Sequence, residues 1–430
     1  MRSPFLRSLF MLVLTVVLCL TGCQATAPDT PGVTHLTLWH GVNPPPNRDV
    51  LQALVDRFNA EHPDTQVESL YVGQSDQQTP KVLAAIVGNA TPDLIWFAPM
   101  FTGQLVELEA IRPLEDWLNA SDVGRQLDPA LFESMRWEDH IWSIPFGTNN
   151  VGLFYRPSLF EAAGITELPQ TWDDLRAVAQ QLTVPEADQH GILLPLGKGE
   201  WTVFMWLPFM WGGGGELTAM DTEPPIVTVD TEGAIAALQL WQDLIADDSV
   251  VLSQPERGYE LDGFLAGNVA MQLTGPWTLG QLGALDVDFG VMPIPAGARP
   301  ATSTGGENLF LFKSTPEREA AALTFMEYVL SEEFQTEWAI GTGYLPVNLR
   351  SRQSQRYQDF IAQQPSVEVF LYQAPYGRSR PIFPGYSRIS ENLGRAIEAV
   401  LLDKATPEAA LGDAQRRLDL ILNPSNPTNR

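Results

Sequence analysis

The chain has 430 residues, with apolar content of 44% and charged content of 18%, an ordinary globular composition long enough for two sizeable cores. Against 52 acidic side chains there are 26 Lys and Arg, a formal charge of −26. Electrostatics therefore excludes nucleic acid and anionic lipid as partners and otherwise reads as solubility.

Arg2 and Arg7 precede an apolar run over 9–20, the layout of a secretory signal and too short for a transmembrane helix. The run ends in Leu20-Thr21-Gly22-Cys23, which resembles the bacterial lipoprotein signal. That resemblance predicts cleavage of residues 1–22 and a diacylglyceryl group on the Cys23 thiol, with 23–32 as a flexible tether. Cys19 leaves with the signal, so no disulfide is expected. No later run approaches membrane-spanning length.

"THLTLWHG" (34–41) alternates as a strand, and Val50, Leu51, Leu54, Val55 and Phe58 recur at helical spacing over 47–64, with Asn47 as the expected cap. "QVESLYVG" is a second strand. "PKVLAAIVGNATPDLIWF" predicts a helix ended at Gly88 and a buried strand over 94–97. Such alternation argues a parallel α/β sheet, followed by further helix over 101–118. In 141–165 two strands flank Pro145-Phe146-Gly147, which marks a bend or crossing, and a helix follows. Helices are predicted over 171–182, in the aromatic run 201–217, and over 230–246 and 259–267. "GNVAMQLTGPWTLGQL" (267–282) reads as strand, tight turn and helix; "FGVMPIP" and "GGENLFLF" read as short strands. From Pro316 to Leu422 the chain is mostly helical, with a loop over 374–388; residues 423–430 form a tail.

Enzyme motifs are absent. The five His at 35, 40, 62, 140 and 190 make no H-E-x-x-H or other close metal pair, and no metal or cofactor is expected. There is no G-x-S-x-G elbow and no G-x-G-x-x-G after a strand. "GILLPLGKGE" misses the phosphate-loop spacing. A glycosidase carboxylate pair stays open as the least favoured alternative.

The ordered phrases "LTLWHG", "VDRFNAEHPD", "GNATPDLIWF", "SIPFGTNNVGLFYRPSLFEAAGI", "TWDDL", "GNVAMQLTGPW" and "TGYLPV", with the closing helices, resemble the carbohydrate-type (family 1) extracellular solute-binding lipoproteins of ABC importers. The resemblance spans nearly the whole chain after the signal. It implies an α/β, two-lobed periplasmic-binding-protein fold of type II, with ligand in a cleft between lobes joined by several hinge crossings. The expected N-terminal lobe is 33–145 with 284–313, and the expected C-terminal lobe is 146–283 with 314–422. It implies a monomer that captures a sugar, glycoside or polyol, catalyses nothing, and passes the ligand to ABC permease subunits from a lipid anchor on the periplasmic or extracellular face. Glycerol-3-phosphate binders look similar in "WHG", "TGYLPV" and the Arg after "PIFPGYS", so glycerol 3-phosphate or a glycerophosphodiester is the runner-up ligand.

A sugar site needs aromatic platforms and fixed polar groups. Trp39 and His40 end the first strand, where α/β clefts open, and Trp96 ends another. Asn149 and Asn150 lie in the crossing; Trp201 begins the aromatic run; Trp277 follows the Gly275-Pro276 turn. Asp76 follows the second strand, Gly306 leaves backbone N–H groups open to close approach, and Tyr344 offers a phenol. By resemblance, Gly306, Tyr344 and Arg388 match the positions that hold phosphate in glycerol-3-phosphate binders. By resemblance, Thr148, Asn149 and Trp277 stand where those binders carry small hydroxyl residues, and a bulky Trp suits a sugar ring better.

Overall fold

A computed structural model describes residues 32–219, 226–255, 257–285 and 287–422. The signal, the Cys23 lipobox, most of the tether, the 423–430 tail and the Asp76 side chain lie outside what it describes.

The alternating first hundred described residues build a five-stranded sheet in the order Thr65–Tyr71, Thr34–His40, Leu94–Phe97, Asn308–Leu311, Ile144–Pro145. The first three strands are parallel, as the strand–helix alternation requires, and Asn308–Leu311 enters antiparallel between Leu94–Phe97 and Ile144–Pro145. The helix expected from 47 begins earlier, at Pro45, and runs to Glu61. Pro residues in its first turn supply the helical φ without needing a side-chain cap. Asn47 is therefore not the cap: it is fully buried within the helix, and its side-chain amide donates to the Trp277 carbonyl (3.1 Å).

A second five-stranded sheet runs Val250–Leu252, His190–Leu194, Val269–Thr274, Gly152–Tyr155, Gly290–Met292. Helices Trp172–Leu182, Glu200–Gly212, Glu232–Ala246, Tyr386–Leu401 and Pro407–Leu422 pack around it. Glu200–Gly212 is apolar on all sides because it is enclosed on all sides: every residue from Thr202 to Gly212 is buried. Thr171 caps the preceding helix in a reciprocal box with Asp174, the "TWDDL" phrase made structural.

A short ribbon joins the lobes. Asn149–Asn150 pairs antiparallel with Thr304–Gly305, and Thr302–Ser303 pairs parallel with Gly377–Arg378. Two domain expectations change here. Residues 290–292 pair with Gly152–Tyr155 and belong to the second sheet, so the return to the first lobe falls at 302–308 rather than at 284. Helices Pro316–Val329 and Glu332–Thr342 pack on the first lobe, not the second. Their Phe325, Met326, Val329, Phe334 and Trp338 share a core with Leu36, Leu38, Leu51, Leu54 and Phe58. The first sheet needs cover for its apolar face, and these helices provide it. The last crossing follows, between Val347 in that core and Val367 in a cluster with Phe154 and Phe264.

Among the described residues no helix is long and apolar enough to cross a membrane.

Trp241 is fully buried and meets Phe209 edge to face at 5.7 Å, and its indole N–H has no partner. Trp241→Ala should destabilise by about 3–5 kcal/mol, while Trp241→Phe should cost far less because no hydrogen bond is lost; urea unfolding checks both. At the ribbon, Gly306 has φ of 109°, and an added Cβ would lie 2.2 Å from the Gly147 carbonyl oxygen. Gly306→Ala should cost about 1–3 kcal/mol from the strained backbone alone, and more if the Gly147 strand shifts, read in the same titration.

Candidate ligand-binding cleft

The strand Thr34–His40 ends at a loop, Gly41–Pro44, that forms one wall of a cavity between the lobes. His40 shapes that loop from behind. Burial, helped by the Arg48 charge, lowers its pKa to about 4, so the ring stays neutral and Nδ1 can accept from the Val42 N–H (3.3 Å). The ring of Tyr71 lies beside it at 5.9 Å. The Asn47–Trp277 hydrogen bond then ties the first lobe's helix to the Gly275-Pro276-Trp277 turn of the second. That turn is held by Thr278, whose hydroxyl donates to the Gly275 carbonyl at 2.8 Å.

Aromatic rings line the cavity. Trp201 stands edge to face with Trp277 (5.9 Å) and with Tyr259 (6.1 Å). Trp277 tilts toward Tyr344 (6.5 Å), which is backed by Trp338 (5.5 Å). Trp96 and Phe204 complete the lining. The volume is about 140 Å³, below the roughly 300–1,000 Å³ of sites for drug-sized ligands.

Three ionisable groups other than phenols reach this cavity: Glu200, Glu307 and Arg380. Glu200 opens the helix Glu200–Gly212, and its carboxylate is engaged on all sides. It accepts from Arg380 Nη1 (2.7 Å), from the Tyr386 hydroxyl (2.9 and 3.1 Å) and from the Ser390 hydroxyl. Arg380 is buried, and its guanidinium lies 4.3 Å from the Phe204 ring centroid. Glu307 differs, because its Oε2 is buried with no protein partner. Burial raises its pKa to about 7, against the pull of Arg380 and a backbone hydrogen bond. Trp201 Nε1 and Asn149 Oδ1 are likewise buried without a partner. Burial, reinforced by Glu307, pushes the Tyr344 phenol well above its ordinary range, so it stays protonated.

Of the residues expected in the site, Trp96, Asn149, Trp201, Trp277, Gly306 and Tyr344 come together around this cavity. Trp39 does not reach it; the side chain is half-buried against the hydrophobic core. His40 stands behind the wall. Asn150 points away from the cavity and locks the ribbon instead: its amide donates to the Phe370 carbonyl (2.8 Å), and its Oδ1 accepts from Gln373 (2.7 Å). Asn150 lines a larger recess of about 740 Å³ that shares Asn149, Gly305, Gly306 and Arg380 with the aromatic cavity, so the ribbon is a wall common to both. Arg388 does not reach the cleft: its side chain is 61% exposed, opposite Glu391 at 3.9 Å, and it lines neither cavity. The cleft's buried cation is Arg380 instead. Glu200, Phe204, Tyr259 and Glu307 join the site without any motif or spacing in the sequence that singles them out.

Among the described residues no group of three His, Cys, Asp or Glu could hold a metal ion.

Comparison with known proteins agrees with this geometry. Residues 44–336 match the family model described as bacterial extracellular solute-binding protein. The sn-glycerol-3-phosphate-binding periplasmic protein UgpB of Escherichia coli is 24% identical over 426 residues, covering 93% of this chain and 94% of that one. The maltotriose-binding protein of Pyrococcus abyssi is 24% identical over 324 residues, covering 74% and 67%. A solute-binding protein of Thermotoga lettingae solved with α-D-tagatose shares the fold, with a TM-score of 0.82 at 24% identity, covering 90% of this chain and 100% of that one. Two lobes of type II topology, an aromatic cleft at their junction and a family match over most of the chain lead to one conclusion: the protein belongs to the bacterial extracellular solute-binding protein family.

Proposed function

We propose that this chain is the ligand-capturing lipoprotein of an ABC importer and that its ligand is a sugar, glycoside or polyol. The observation that carries this reading is the polar inventory of the cavity. Two buried acceptors, Glu307 Oε2 and Asn149 Oδ1, and one buried donor, Trp201 Nε1, have no protein hydrogen-bond partner and sit among aromatic rings. A ring bearing several hydroxyls supplies both donors and acceptors, and its C–H faces suit the indoles. Each buried group left unsatisfied would cost about 1–3 kcal/mol, which favours a ligand that fits all three.

Glycerol phosphate is the second reading, favoured by Arg380 in the cleft and by the glycerol-3-phosphate-binding relative. Against it, Arg380 already serves Glu200, and a phosphate brings acceptors and negative charge toward the unpaired acid of Glu307. The Glu200 oxygens are engaged by Arg380, Tyr386 and Ser390, which supports binding without catalysis. A ligand clamped between lobes draws them together, and a permease can select the closed form. A lipid on Cys23 would hold the receptor close to that partner.

A thermal-shift screen of sugars, polyols and glycerol phosphates tests the reading: a ligand at a hundredfold its dissociation constant adds about 2.7 kcal/mol. The hit should be recovered chemically unchanged, and its turnover would sink the proposal. Trp277→Ala should weaken the best sugar well over tenfold by calorimetry, tenfold being about 1.4 kcal/mol. If glycerol 3-phosphate binds tightly and ignores Trp277→Ala, the second reading replaces the first. Cys23→Ala should move the protein from the membrane fraction to the soluble fraction with ligand affinity intact; retention in the membrane would refute the anchor.

A further inference from the structure

The cavity is lined by more acids than cations. Its lining holds the carboxylates of Glu200 and Glu307 and the single guanidinium of Arg380. Arg380 and Glu200 form a closed pair at 2.7 Å, and Tyr386 and Ser390 fill the remaining capacity of Glu200. Glu307 is left with a buried Oε2 that no protein group meets. Its backbone is fixed at the mouth of the ribbon, because the Phe146 N–H donates to the Glu307 carbonyl (3.1 Å) and Gly306 precedes it. Around the same space stand Trp96, Trp201, Trp277 and Tyr344. An unpaired buried carboxylate within a box of electron-rich rings is the chemistry that receives an ammonium group. A hydroxyl can be met by the neutral acid, whereas an ammonium group pairs with the carboxylate and gains a charge-assisted hydrogen bond.

We propose that the cleft selects an amino sugar, a ring carrying a protonated basic nitrogen, and that Glu307 is the residue that reads that nitrogen. The inference rests on the sugar reading above and adds one positive charge to it. The groups that face Glu307 are Arg380, committed to Glu200, and the Tyr344 phenol. Burial raises the Glu307 carboxyl to about 7, so at pH 6 the empty cleft holds it mostly protonated. An ammonium ligand needs the carboxylate, so binding at pH 6 releases a proton, and affinity for such a ligand rises with pH through the Glu307 range and falls again just above neutrality, where the amine of a glucosamine loses its own proton.

The test is calorimetry on the purified protein with matched probes: glucosamine against glucose, the glucosamine disaccharide against cellobiose, and N-acetylglucosamine as the uncharged amide. We expect at least a tenfold preference for the amine over its neutral partner, none for the amide, and a ratio near one in Glu307→Gln. Titration of the amine at pH 6 in buffers of different ionisation enthalpy should show release of close to one proton. Glu307→Gln should melt no lower than the wild type, since it removes an unpartnered buried acid; if it fails to fold, proton release by the wild type decides alone. Neutral sugars bound as tightly as amines, with no proton released, would overturn the proposal and leave the sugar reading standing. Binding of glycerol 3-phosphate with no sugar of either kind would bring down the sugar reading itself.

Discussion

The antiparallel pairing of Asn149–Asn150 with Thr304–Gly305 is the constraint on which the rest depends. It is the place where the chain passes between two sheets that have no strand in common. Both strands are short, and Asn149 and Asn150, though neighbours, direct their side chains to opposite sides. Period-two alternation separates their roles. Asn149 serves the aromatic cavity, whereas Asn150 is fully engaged by Phe370 and Gln373 and fastens the ribbon to the second lobe. The ribbon thus connects the lobes and walls the cleft at once. Gly306 permits this, because the added Cβ of any other residue would collide with the Gly147 carbonyl across the crossing.

Electrostatic order in the cleft follows from burial. A guanidinium and a carboxylate that leave water together must satisfy each other well, and Arg380 with Glu200 does so with help from two hydroxyls. Among the described residues, that network takes up the only cation lining the aromatic cavity. Everything else facing the ligand is an aromatic face, a neutral polar group, backbone or the solitary acid of Glu307. Such a surface binds through contact area and hydrogen-bond donors supplied by the guest. The interlobe hydrogen bond from Asn47 to the Trp277 carbonyl adds a further consequence: the turn that presents the largest platform is itself held by the opposite lobe.

The α/β alternation of the first hundred described residues, the apolar helix of the aromatic run, and the Gly-Pro-Trp turn are all local patterns, and the sequence by itself determined them. Strand periodicity and turn residues depend on neighbours a few positions apart. The cavity aromatics Trp96, Trp201, Trp277 and Tyr344 were legible for the same reason, since each stands at the end of an element or in a turn. Lobe membership was decided only by the tertiary structure. Gly290–Met292 is a short strand whose sheet is chosen by a partner more than a hundred residues earlier, and Pro316–Val329 goes where an apolar sheet face lacks cover. The choice between Arg380 and Arg388 is instructive. Helix Tyr386–Leu401 buries Tyr386, Ile389, Ser390, Leu393 and Ile397, so its period turns position 388 to solvent, a phase that the motif resemblance does not carry. Arg380 lies in a loop with no period at all, and its direction is set by Glu200, far away in the chain. Glu307 was invisible for the deepest reason: whether an acid is solvated or stranded depends on what closes around it, and burial is a property of the folded chain alone.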